Sequence, residues 1–335
     1  MPPHELRQIA SLDDLVGYWQ FNGAAGRHLA VVDRDEAGKR LRVFTLLEDR
    51  WRRVRELPLS EPWAKALDGR LVGDTVVLCV EVNDYHAVRL LAEEYGHLVR
   101  EDSADAFAPR ADLDLAPDEQ QRVEVPVSHL WNAATPLALS AWLFSPRLVR
   151  GDVREALVIA STADGQVALL GREGGGAVLR APQIRRALEP QAVRVGEALI
   201  VAFQRPAQDD VYPFWLAPRH GKFVTGDLVV SDGTQPELNL SAVLGIGPVV
   251  RFALAPGWQG GVWLLALIDA PVGTDVVALE RAHGTWTVRA RQSLDRELRD
   301  LSVEAGPGEG EWHIVYAAAT PEGSTLEYQA WRIAR

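Results

Sequence analysis

Short apolar runs separated by polar turns recur along nearly the whole chain. One set consists of His28-Leu29-Ala30-Val31-Val32, Thr75-Val76-Val77-Leu78-Cys79-Val80, Ala156-Leu157-Val158-Ile159-Ala160, Ala198-Leu199-Ile200-Val201-Ala202, Val262-Trp263-Leu264-Leu265-Ala266 and Trp312-His313-Ile314-Val315-Tyr316. These runs are rich in Val and Ile and shorter than the ten or so residues a helix needs, so they predict strands buried on both faces. A second run follows each one, at 41–47, 86–92, 166–170, 212–216, 275–279 and 325–331. The intervening turns hold Asn83-Asp84, Ala163-Asp164-Gly165 and Pro321-Glu322-Gly323, the chemistry of hairpins, so neighbouring strands are expected to be antiparallel.

A third member, usually opened by Gly, follows in five copies: 49–51, 96–99, 176–179, 221–224 and 284–288. The sixth copy lacks one, while Leu6-Arg7-Gln8-Ile9 stands unassigned at the other terminus. A fourth, innermost strand precedes most units, at 15–20, 192–195, 249–253 and 298–303, and is left open for the second and third units. Six four-stranded units of this kind predict an all-β fold, a six-bladed β-propeller. The N-terminal segment would supply the missing outer strand of the last blade and so close the ring. Spacing between copies is uneven, leaving room for a seventh blade in the longest gap. The expectation is a single domain over 1–335 with long connectors at about 102–150 and 226–246. Both would join an outer strand to the next inner one and so emerge on one face, where binding loops sit.

Charge narrows the partners. Acidic residues outnumber basic ones 46 to 35, a formal net charge of −11, and a field of that sign repels a phosphate backbone; no nucleic-acid partner is expected. Arg50, Arg52, Arg53 and Arg55 form the local exception, read as a solvated strand. The single cysteine, Cys79, lies inside an apolar run and is read as a small buried hydrophobe. The N-terminus lacks a signal-peptide pattern and no 18-residue apolar run occurs, so a cytoplasmic protein without membrane attachment is expected.

Candidate chemistry is sparse. Gly171-Arg172-Glu173-Gly174-Gly175-Gly176 lacks the Lys-Ser/Thr of a phosphate loop and is followed by a strand, so it reads as a hairpin; Gly245-Ile246-Gly247 has no third glycine at the dinucleotide spacing. No zinc-type spacing or nucleophile-elbow serine occurs, and no cofactor, metal ligand or catalytic residue is assigned. The eight histidines are scattered. A propeller nonetheless brings inner strands of different blades together, so an acid–base or metal site could assemble at the central channel from residues far apart in sequence. Of the eleven tryptophans, Trp51, Trp263, Trp286, Trp312 and Trp331 fall on repeat strands and are assigned to packing between blades. Trp131, Trp142 and Trp258 fall outside those strands and, with Asn132, are the expected interaction surface.

At Gly284-Thr285-Trp286 and Ala163-Asp164-Gly165 the chain resembles the hairpins of bacterial sialidase-like and fucose-lectin-like propellers. The sialidase Asp box, Ser-x-Asp-x-Gly-x-x-Trp, is intact nowhere, and the lectins' Arg, Glu and Trp sugar set does not recur blade by blade. The resemblance therefore implies the fold and no functional residue. The function expected is a non-catalytic protein-interaction module, a scaffold or regulatory subunit with a protein partner. A carbohydrate-binding or glycoside-processing propeller is the alternative, and a metal-dependent esterase or lactonase the third.

Overall fold

The computed structural model describes residues 6–12, 14–35, 38–48, 50–58, 63–82, 87–100, 108–109, 143–151, 157–162, 165–171, 177–181, 184, 186–206, 225–231, 237–321 and 323–333. Strand β1 (Arg7–Leu12) precedes the first sheet, which runs β2 (Asp14–Gly23), β3 (Gly26–Asp35), β4 (Gly38–Leu47) and β5 (Arg50–Pro58). The second sheet holds β6 (Trp63–Val72), β7 (Thr75–Val82), β8 (Ala87–Glu94) and β9 (Ala108–Pro109), with helix α1 (Tyr95–Arg100) after β8. The third comprises β10 (Leu143–Leu148), β12 (Val158–Thr162), β13 (Val167–Gly171) and β14 (Ala177–Ala181). Strand β11 (Arg150–Gly151) pairs in parallel with β15 (Leu188–Val195), which opens the fourth sheet with β16 (Ala198–Pro206), β17 (Gly226–Ser231) and β18 (Leu238–Asn239); helix α2 (Leu240–Val243) follows. The fifth is β19 (Arg251–Pro256), β20 (Val262–Asp269), β21 (Thr274–Ala282) and β22 (Thr285–Leu294). The sixth is β23 (Leu298–Ala305), β24 (Glu311–Thr320) and β25 (Gly323–Arg332), and β1 pairs antiparallel with β25 on its outer side.

The fold is all-β and its arrangement is that of a β-propeller. Five blades are counted in that arrangement, so the expected six, or seven, is met only at the level of the architecture. Hydrogen bonding groups the same described strands into six sheets. Strands β9, β11 and β18 have two residues each. The inner strands touch in the order β2, β6, β10, β15, β19, β23, and β23 touches β2.

The second strand of each sheet carries the core. Strands β3, β7, β12, β16, β20 and β24 contain the six apolar runs; Leu29, Leu78, Ile159, Phe203, Leu264 and Tyr316 on them are fully buried. Sheets meet through mixed clusters: Trp263 of the fifth packs against Trp312 of the sixth, ring centroids 5.1 Å apart, and Trp51 of the first meets Tyr328 of the sixth edge-on at 5.6 Å. Amides of three glutamines bond across from one sheet to the next or to the segment that enters it. Gln20 Nε2 donates to the carbonyls of Ser302 and His313, Gln204 Nε2 to those of Val249 and Val250, and Gln191 Nε2 to that of Phe252.

Three elements differ from the sequence expectation, the first being β10, an inner strand paired with β12 that falls inside the stretch expected to be the 102–150 connector. Residues 96–99, expected as a third strand, lie in α1. The reason is Tyr95, whose hydroxyl accepts from Ala25 N–H (2.8 Å) and bonds His28 Nε2 (2.7 Å), while His28 Nδ1 bonds Thr45 Oγ1 (2.9 Å). This buried network anchors the start of the helix to the first sheet instead of extending β8 into another strand. In the fourth sheet the partner of β16 is β17, inside the stretch expected to be the 226–246 connector, because Leu228-Val229-Val230 is a fully buried run. The runs expected at 212–216 and 221–224 lie outside the described residues.

Gly23 is the contact point of the Tyr95 network. A Cβ there would lie 2.1 Å from the Tyr95 ring, whose hydroxyl is already held by Ala25 and His28. Gly23→Ala is expected to cost about 2–3 kcal/mol, as overpacking in a rigid site does. The midpoint of denaturant unfolding measures it; an unchanged midpoint would show that α1 is not held this way.

Candidate functional site

Inner strands carry the charges that converge on the axis, and β-bulges aim them. Register shifts occur in β6 between Ala66 and Asp68, in β10 between Phe144 and Arg147, in β15 between Leu188 and Gln191, and in β23 between Leu298 and Asp300. A bulge re-aims a side chain that strict alternation would send into the sheet face. Ser145 and Glu189 sit at two of these shifts with φ of 49° each, a left-handed backbone that costs a residue with a Cβ about 1–3 kcal/mol.

Two groups of charges result. Near the start of the inner strands, Glu189 accepts from Ser145 Oγ (3.0 Å) and Arg147 Nη2 (3.5 Å) and pairs with Arg251 Nη1 (3.7 Å). Asp300 accepts from Leu301 N–H, and its charge, with that of Glu189, bears on Arg147. Toward the end of the inner strands, Arg150 donates through Nη2 to Asp68 Oδ1 (3.2 Å) and through Nη1 to Glu304 Oε1 (2.5 Å), reaching from the second sheet to the sixth. Asp68 also accepts from the N–H groups of Gly69 and Leu148, and Arg70 spends both Nη atoms on the carbonyls of Val149 and Gly151. Burial pulls the Arg147 and Arg150 guanidinium groups down, but the carboxylates beside them outweigh it and hold both above their ordinary value. Burial, reinforced by Asp300, pushes the Tyr18 phenol well up, so it is a neutral hydroxyl, donating to the Val315 carbonyl at 3.4 Å.

A pocket of about 220 Å³ opens at the second group, with Gln20, Asn22, Asp68, Arg70, Arg150 and Glu304 as its polar residues and Phe21, Leu71, Leu148 and Pro256 among its apolar ones. Among the described residues, no three His, Cys, Asp or Glu side chains are placed to share a metal ion.

Trp258, expected on the interaction surface, stands on the turn between β19 and β20, 48% exposed, at the same end of the ring as this pocket. Trp131, Asn132 and Trp142 lie outside the described residues. Strand β10, the next described element, begins at Leu143 at the start of the inner strands, the end opposite Trp258. Trp263, Trp286, Trp312 and Trp331 are buried, and Arg50, Arg52 and Arg53 lie exposed along β5 while Arg55 is buried. The axial charges were missed in the sequence, though their signal was present: Arg251 and Asp300 interrupt apolar stretches that predict inner strands.

No protein-family model matches the chain. No curated protein matches it. Among solved structures it is similar to the Trypanosoma rangeli sialidase in complex with the inhibitor DANA, at 10% identity and a TM-score of 0.58, over 96% of this chain and 55% of that one. It is also similar to AofleA from Arthrobotrys oligospora, at 11% identity and a TM-score of 0.53, covering 99% of this chain and 90% of that one. The chain thus spans about half the length of the sialidase. Likeness at this identity establishes the β-propeller fold and nothing about activity.

Proposed function

We propose that the chain is a non-catalytic interaction module: a six-bladed ring, closed by β1 on β25, that offers the end from which its long connector returns to a protein partner. One observation carries this reading above the others. The charged groups at the axis are paired with one another: Arg150 serves Asp68 and one oxygen of Glu304, and Glu189 serves Arg147 and Arg251. A general acid, base or nucleophile needs a reacting atom within reach of substrate. Groups locked in mutual pairs serve instead as ties between blades. The six sheets and the contact of β23 with β2 support six blades, and the β1–β25 ladder supports closure.

Affinity capture of the tagged chain from its own host, quantified by mass spectrometry, tests the reading. A stoichiometric protein partner is expected, lost with Trp131→Ala or Trp142→Ala and retained with Trp258→Ala, which lies at the other end. A chain that returns alone, with hydrolysis of a glycoside or ester panel, would overturn it.

A further inference from the structure

We propose that the pocket at the end of the inner strands binds an uncharged polyol, a single sugar-sized ring, held by Glu304 and Asn22. Hydrogen-bond accounting comes first. The pocket's donors are largely spent: Arg150 on Asp68, Glu304 and the Val303 carbonyl, and Arg70 on two backbone carbonyls. Its acceptors are not. Asn22 is exposed and offers an amide oxygen to the pocket it lines. Glu304 gives one oxygen to Arg150 and keeps lone pairs on the other.

Charge then selects among donors. Two carboxylates, Asp68 and Glu304, face two guanidinium groups, Arg150 and Arg70, in the same pocket. An ammonium guest would meet the arginines and an anionic guest the carboxylates, each at close range in a partly buried site. Hydroxyl groups both donate and accept, so a polyol fits the mixed set without adding charge. Size agrees: at about 220 Å³ the pocket is below the ~300–1,000 Å³ of drug-sized sites, and the apolar walls of Phe21, Leu71 and Pro256 suit the carbon face of a ring. Trp258 stands exposed two residues beyond Pro256.

Ligand-observed NMR titration of the purified chain tests this, using glucose, galactose, mannose, fucose, N-acetylglucosamine and myo-inositol as probes, with putrescine and acetate as charged comparators. At least one polyol is expected to saturate at millimolar concentration or below, and Glu304→Gln and Asn22→Ala are each expected to weaken it ~10-fold or more. Val272→Ser, on an exposed hairpin, should leave it unchanged. Asn22 is exposed, so its variant tests the pocket even if Glu304→Gln fails to fold. No saturable polyol binding, equal binding by both variants, or tighter binding of putrescine or acetate would overturn the proposal. The result is independent of whether a protein partner is found.

Discussion

Deleting residues 2–10 is expected to cost about 4 kcal/mol or more and to expose the outer edge of β25. The loss is large because pairing and packing go together. Strand β1 runs against β25 from Arg7 opposite Tyr328 to Leu12 opposite Ser324. Ile9 and Ala10 pack into the cluster of Leu29, Val31, Val315, Leu326 and Tyr328, which joins the first sheet to the sixth, and Leu6 packs on the neighbouring cluster that holds Trp331. Removal opens the outer edge of β25 at Leu326, Glu327 and Tyr328, while β24 still pairs its inner edge, and an open edge is a template for association with other chains. Denaturant unfolding and size-exclusion chromatography would read both effects. An unchanged midpoint with a monodisperse peak would contradict closure by β1.

Arg150→Met is the second large effect, with an expected loss of about 3–5 kcal/mol. The substitution keeps the apolar stem and removes the side chain that ties Asp68 to Glu304. Asp68 is 7% exposed and would be left with backbone donors alone. Breaking one partner of a buried pair costs far more than removing the whole set, so adding Asp68→Asn and Glu304→Gln is expected to recover more than half of the loss. Arg34→Met provides the contrast: Arg34 and Asp14 are half exposed, and such a pair contributes about 0–1 kcal/mol. If Arg150→Met proved as mild as Arg34→Met in urea unfolding, the axial charges would not be ties between blades.

Much of the architecture was legible in the sequence for a physical reason. A strand covered on both faces must be apolar throughout, so β3, β7, β12, β16, β20 and β24 appear as unbroken runs that need no alignment to find. Outer elements obey weaker rules. Leu98 and Val99 suit a strand or a helix equally, and the choice at α1 was made by Tyr95 reaching Ala25 and His28, contacts 70 and 67 residues away. The 226–246 stretch read as a connector because its turn residues, Ser231-Asp232-Gly233-Thr234, outweighed the short run Leu228-Val229-Val230. The axial site was half legible: a propeller was expected to gather inner-strand residues, and Arg251 and Asp300 were visible as charges within apolar runs. Which of them would face the axis was not, because that depends on bulges at Asp68, Arg147, Glu189 and Asp300 that leave no signal in a periodic pattern.

Crosslinking mass spectrometry of the captured assembly tests the interaction reading most directly. Lys39, Lys65 and Lys222 are the only lysines, so a carboxylate-reactive crosslinker is the suitable reagent, and Asp102, Asp105, Asp112, Asp114, Asp118 and Glu119 put reactive groups on the long connector. The expected result is a single partner, in equal amount, crosslinked through these acidic residues. Crosslinks confined to background proteins, or a partner attached only around Trp258 at the opposite end, would contradict it.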